Sequence, residues 1–167
     1  SDNSDEYLVK ELKLYSPKFA KMLELINETE GSALVYSQFR TVEGIGIFKR
    51  VLEANGYAQF KIKKDDGYEL DIKEEDYNKP KFMEFTGDKE MTNILLDIFN
   101  NNLKNVPEKI REKLDDMHSV KSEKKNGNLR GSIAKVMMIT QSGSEGISLK
   151  NVRQVHVVEP YWNMIRI

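Results

Sequence analysis

Apolar positions along the chain fall into two alternating kinds of segment, one at helical spacing and one in short continuous runs. Ser16-Pro17 is a helix start, a serine N-cap followed by proline at the first helical position. Phe19, Met22, Leu23 and Ile26 then share one helical face, and Gly31 ends the element. Ala33 to Tyr36 predicts a buried strand. A second helix puts Ile45, Phe48, Val51 and Leu52 on one side and closes at Asn55-Gly56. Tyr57 to Ile62 alternates and predicts a strand. Lys63 to Pro80 is a polar excursion containing Asp65-Asp66-Gly67 and Glu74-Glu75-Asp76. Lys81 to Phe85 predicts a strand, Thr86-Gly87 a turn, and about Asp88 to Phe99 a helix with Met91, Ile94, Leu95 and Ile98 inward. Asn100 to Asn105 breaks that helix, and Pro107 opens a short one with Ile110 and Leu114. Ser119 to Ser132 is polar and predicts a mobile loop. Lys135 to Thr140 and Gln154 to Glu159 are the last two strands.

Strands alternating with helices of this length predict right-handed βαβ units. The expected fold is α/β, a three-layer sandwich with a mostly parallel sheet and helices on both faces. The runs Val136 to Ile139 and Val155 to Val158 fit strands buried on both faces.

Composition narrows the function classes. With 167 residues the chain is the size of one domain. Basic and acidic residues nearly cancel, 26 against 27, so nucleic-acid binding would need a local basic strip rather than bulk charge. There are no cysteines, which excludes disulfides and thiolate metal sites, and only two histidines, His118 and His156. No apolar run reaches the roughly 18 residues of a membrane span. Residues 1–11 read as a flexible end. The sequence stops at Ile167 soon after an apolar strand, so a piece of a larger protein is expected.

The chemistry concentrates between Met138 and Asn163. An apolar run ends in Thr140, and the small-residue loop Gln141 to Gly146 follows at once. Backbone lying against phosphate cannot carry bulky side chains, so Gly143, Ser144 and Gly146 suit such a loop, and Thr140 and Ser142 add hydroxyl donors. In open α/β sheets ligands sit beyond the carboxyl ends of strands, where this loop would lie. A tight turn alone would also explain these glycines. Other residues have plainer readings: His156 as a satisfied core histidine, Glu159 as a capping or pairing group, Tyr161 and Trp162 as packing. Lys121, Lys124, Lys125 and Arg130 read as a solvated loop, and the acidic cluster Asp65 to Asp76 as a solvated insertion.

The order ALVYSQF, FMEFTGDKE, LLDIFN and MITQSGSEGISLKNVRQVHVVEPYWN resembles the second RecA-like domain of superfamily-two helicases, and within them Swi/Snf-like ATPases. LKLYSPKF and VYSQFRTVEGIGIFKRVLEANGY are most similar to the helicase-like transcription factors of large nucleocytoplasmic DNA viruses, relatives of the poxvirus nucleoside triphosphatase. The resemblance spans about Leu12 to Ile167. It implies a RecA-like domain over residues 12–167 with polar insertions at about 63–80 and 101–134. It assigns Ser37, Gln38, Thr86, Gly87, Thr140, Gln141 and Ser142 to nucleic-acid contacts. Gly143, Ser144, Glu145, Gly146 and Ser148 fall to ATP binding and coupling. Phe99-Asn100 matches a pair that closes the helix before the insertion.

Two family parts are missing. The arginine-bearing motif VI should begin just beyond Ile167, and the phosphate-binding loop and Mg²⁺-binding acidic residues belong to a preceding domain. The resemblance thus implies that the fragment holds no catalytic or metal-binding residue and neither hydrolyses nor binds ATP alone, whereas the full protein uses ATP and Mg²⁺. An arginine finger alone is worth about 10³–10⁵ in rate. The implied partners are nucleic acid, DNA more than RNA, the preceding RecA-like domain, and viral RNA polymerase or transcription factors, with no membrane. The implied place is a virion or cytoplasmic viral factory, or otherwise a soluble intracellular one. Two alternatives stay open: a non-catalytic helicase-like scaffold docking through its insertions, and a dinucleotide- or S-adenosylmethionine-binding domain. The latter needs a glycine-rich loop after the first strand, and Ser37 to Thr41 is not one.

Overall fold

The computed structural model describes residues 17–37, 43–85, 87–119, 127–140, 143 and 146–158. Helix α1 covers 17–28. It is followed by β1 (Ser32–Ser37), α2 (Glu43–Ala54), β2 (Ala58–Gln59), β3 (Ile62–Lys64) and β4 (Tyr68–Leu70). Then come β5 (Lys81–Glu84), α3 (Lys89–Phe99), α4 (Glu108–Ser119), β6 (Val136–Thr140) and β7 (Val152–Val158). Five strands form one sheet in the order β2-β5-β6-β1-β7, and every pairing in it is parallel. This is an α/β, RecA-like arrangement.

Each face of the sheet has its own core. Phe19 and Ile26 of α1 and Phe48 and Leu52 of α2 pack on Val35, Val136 and Met138. The rings of Phe19 and Phe48 meet at 5.2 Å between centroids. On the other face Leu95 and Ile98 of α3 and Ile110 and Leu114 of α4 pack on Met83, Met137 and Ile139. Burying one such side chain stabilises the fold by about 1.5–3 kcal/mol. The strands run the same way and stay in register, Ser37 beside both Thr140 and Val158, so their carboxyl ends share one edge.

The structure corrects three expectations. Residues 57–62 are not one strand, and 63–80 is not a solvated excursion. The chain leaves the sheet after β2, and β3 pairs antiparallel with β4, Ile62 opposite Leu70 and Lys64 opposite Tyr68. Asp66 (φ 46) and Gly67 (φ 96) make the turn between them. Tyr68, Leu70, Ile72 and Tyr77 pack against the second core. Glu69 binds Lys109 at 2.8 Å and Lys63 at 3.3 Å, which ties the hairpin to α4. Hydrogen bonds from those two ammonium groups hold its carboxyl below the usual range. Lys81 is 2% exposed, its Nζ donating to the Tyr77 and Lys79 carbonyls at 2.8 and 2.9 Å, so the turn above it is part of the fold.

Secondly, beyond α4, which is the helix expected after Pro107 and has 12 residues, the polar stretch is partly built into the fold. The mobile loop expected over 119–132 does not hold at Asn128, which is 1% exposed. Lys121, Lys124 and Lys125 lie outside the described residues, while Arg130 is exposed as expected. Thirdly, β7 is buried on one face only. Val155 is 62% and Val157 40% exposed, because β7 ends the described sheet and the helices on that side sit over β5 and β6. His156, on the covered face, is half-buried with Nε2 2.8 Å from Gln154 Oε1. Burial, and then the Lys18 charge, lower its pKa. Glu159, Tyr161 and Trp162 lie outside the described residues. No helix among the described residues is long and apolar enough to cross a membrane.

Candidate nucleic-acid interface

At the shared carboxyl edge, the ends of β5 and β6 and the first turns of α3 enclose an open cleft of about 660 Å³. Phe85 and Leu96 form its apolar floor with Ile147. Its polar lining comes from two sides: Thr140, Gly143 and Gly146 beyond β6, and Gly87, Lys89, Thr92 and Asn93 at the start of α3.

Four of the sequence-predicted residues thus meet in one place, namely Gly87, Thr140, Gly143 and Gly146. Their glycines have different physical reasons. Gly146 has φ +72, a left-handed backbone that costs an ordinary L-residue about 1–2 kcal/mol, so the turn itself selects glycine there. Gly87 has no such backbone, and a Cβ added to it would meet nothing within 4 Å. A Cβ on Gly143 would lie 3.4 Å from the Phe85 ring, an ordinary contact. The fold therefore does not itself demand glycine at 87 or 143. Ser37 sits at the neighbouring strand end but is 2% exposed, and it does not line the cleft. Ser148 is exposed outside the cleft, and its carbonyl accepts from Asn100 Nδ2 at 2.7 Å. Gln38, Thr86, Gln141, Ser142, Ser144 and Glu145 lie outside the described residues.

Sequence reasoning missed Lys89, Thr92 and Asn93. They stand at i, i+3 and i+4 on the polar face of α3, directly after the turn that was recognised, and that spacing was the available signal. Asp88 caps the helix, its carboxylate accepting the Met91 N–H at 3.0 Å. The remaining free end of the helix dipole and the Lys89 ammonium favour an anion, while the Asp88 charge partly offsets them. Backbone N–H groups, hydroxyls, one amide and one ammonium suit phosphate oxygens. No group of three or more His, Asp or Glu among the described residues could hold a metal ion, so no step is assigned to one.

The sequence is similar to parts of several viral proteins. A termination factor NPH-I homolog of African swine fever virus is 31% identical over 153 residues, 90% of this chain and 21% of the relative. A protein of Acanthamoeba polyphaga mimivirus, provisionally named an ATP-dependent RNA helicase, is 26% identical over 97% of this chain and 22% of the relative. A second mimivirus protein with the same style of name is 26% identical over 100% of this chain and 16% of its own length. The chain spans about a fifth of the length of these curated relatives. No protein-family model and no solved structure matches it.

Proposed function

We propose that this chain, a superfamily-two helicase-like domain by its homology to the viral termination factors and helicases, is the second RecA-like half of an ATP-dependent nucleic-acid motor. The observation that carries the reading is the convergence of Gly87, Thr140, Gly143 and Gly146 with Lys89, Thr92 and Asn93 in one cleft beyond the strand ends. The cleft supports Gly87, Thr140, Gly143 and Gly146; the other residue assignments and the boundaries, 12–167 with insertions at 63–80 and 101–134, rest on the motif order alone.

In this reading the cleft takes the phosphate backbone of one nucleic-acid strand. Gly87 lets phosphate approach the main chain, Thr140, Thr92, Asn93 and Lys89 supply donors, and Gly143 and Gly146 link the cleft to ATP. Contacts to phosphate rather than base edges make binding independent of sequence. ATP and its Mg²⁺ bind between this domain and a preceding one, and closure and reopening of the pair step it along the backbone. Duplex DNA is the favoured track, with translocation rather than strand separation. Transcription in a virion or viral factory, beside the viral polymerase or transcription factors, is the favoured process. In this reading the domain supplies one half of the ATP site and the preceding domain the other.

The test is ATP hydrolysis by the full-length parent, with and without duplex DNA. Gly146→Asp and Gly146→Asn are compared with wild type. Asn and Asp tolerate the left-handed backbone about equally, so their difference isolates charge. DNA-stimulated turnover lost at least tenfold in Gly146→Asp but largely kept in Gly146→Asn supports the motor and its phosphate contact. Binding should also weaken with salt, by a log–log slope of about 0.9 per phosphate neutralised. A wild-type parent that hydrolyses no ATP would sink the motor and favour a scaffold.

A further inference from the structure

Two asparagine side chains stitch the C-terminus of α3 to the domain, and they lead to different places. Asn100 is 8% exposed. Its Nδ2 donates to the Ser148 carbonyl at 2.7 Å, and its Oδ1 accepts the Lys150 N–H at 2.8 Å. Both partners are backbone groups just beyond Gly146. Asn128 is 1% exposed. Its Nδ2 donates to the Phe99 carbonyl at 2.9 Å, and its Oδ1 accepts the N–H groups of Ile133 and Ala134 at 3.0 and 2.8 Å, in the segment leading into β6.

The surroundings of the two sites differ. The bonds to Ser148 and Lys150 are part-buried on exposed residues, so water has the better access there if the Asn100 amide is removed. Ile133 and Ala134 are 2% and 0% exposed, so their N–H groups have no such substitute. Losing Asn100 therefore costs position more than stability, and losing Asn128 the reverse. Meanwhile the opposite end of α3 carries Lys89, Thr92 and Asn93 in the cleft. One helix, about 16 Å long at 1.5 Å per residue, reaches from the cleft to the exit of the loop that faces it.

We propose that Asn100 is a positioning residue: it sets the Gly146–Lys150 backbone against α3, and through α3 couples phosphate in the cleft to ATP turnover. The coupling half of this inference rests on the motor reading; the positioning half does not. Asn100 acts on no reacting atom, and its effect runs through the backbone it holds.

The experiment uses the full-length parent carrying Asn100→Ala or Asn128→Ala, with Asn128→Asp, which keeps the two accepted bonds, where the alanine variant is too unstable. Melting temperature, amide exchange at residues 146–150, and ATP turnover against duplex DNA concentration are measured for each. Asn100→Ala is expected to speed exchange at 146–150 at least tenfold with the smaller drop in melting temperature. The DNA concentration for half-stimulation should rise at least tenfold, by a larger factor than the maximal rate falls. The Asn128 variant should melt lower and keep a half-stimulation point within about threefold of wild type. Unchanged exchange in Asn100→Ala, or stimulation lost in both variants in proportion to stability, overturns the assignment and leaves Asn100 a plain helix cap. If wild type shows no DNA-stimulated turnover, the coupling half fails together with the motor reading, while exchange still decides the positioning half.

Discussion

Strands β6 and β7 look alike as sequence and behave differently as structure. Val136-Met137-Met138-Ile139 and Val155-His156-Val157-Val158 are both short apolar runs ending at the same edge of the sheet. All four β6 residues are buried, the most exposed at 3%. On β7, Val155 and Val157 face outward while Gln154, His156 and Val158 face the helices. The difference lies in the neighbours. β6 sits between β5 and β1 with helices above both faces, whereas among the described residues β7 has β1 on one side only and α1 beneath it. An apolar run reports that a strand can be buried on two faces, and the sheet order determines whether it is.

The largest test of this contrast is truncation. Met137→Ala should lower unfolding free energy by about 2–5 kcal/mol, since a fully enclosed side chain leaves a cavity. Val155→Ala should stay within about 0.5 kcal/mol. Urea titration of both variants checks this, and equal losses would mean that the outer face of β7 is covered in solution.

A smaller effect separates the polar anchors of the two strands. Asn128→Ala, at the entrance to β6, should cost about 1–3 kcal/mol because it leaves buried N–H groups unpaired. Gln154 on β7 donates to the Leu25 carbonyl at 2.8 Å and to Thr29 Oγ1, within reach of water. Gln154→Ala should cost only about 0.5–1.5 kcal/mol. Thermal melts rank the pair, and a reversed order would make the Gln154 contacts the stronger anchor.

The smallest effect is a pH dependence confined to β7. The folded pKa of His156 lies below its ordinary 6.5, chiefly from burial and then from the Lys18 charge. Between those two values the unfolded chain binds the extra proton, so stability rises with pH there. The contribution is complete above about pH 6.5 and is lost as pH falls through the folded pKa. Melting temperature measured from pH 7.5 to 5 should therefore decline more steeply in wild type than in His156→Gln. Parallel curves would show that His156 is not what ties β7 to the pH.

Much of the scaffold was legible because the helix faces repeat cleanly. Phe19, Met22, Leu23 and Ile26 fall on one helical face in the sequence, and all four are buried. The helix expected from about Asp88 begins at that point, and the Asp88 side chain caps it. The hairpin was overlooked although its signal was present. Phe60 and Ile62, then Tyr68, Leu70 and Ile72, alternate around Asp66-Gly67, which is a strong short-range hairpin pattern. The run of lysines and carboxylates obscured it, and those charges instead pair across the hairpin and to α4. Asn128 gave no local signal at all. Its burial depends on the Phe99 carbonyl, twenty-nine positions away in sequence, being brought opposite it.

Periodicity, caps and turn residues act over a few neighbouring positions, so the helices, the main sheet strands, the α/β class and the motif order that marks the cleft's glycines were legible in the chain itself. The one-sided burial of β7 among the described residues, the docking of the segments at 63–80 and 108–119 on each other, and the hold of Asn100 on the backbone beyond Gly146 follow from the assembled fold. Those outcomes depend on which distant groups meet, and burial and hydrogen-bond pairing between distant groups are properties of the assembled sheet rather than of any local stretch.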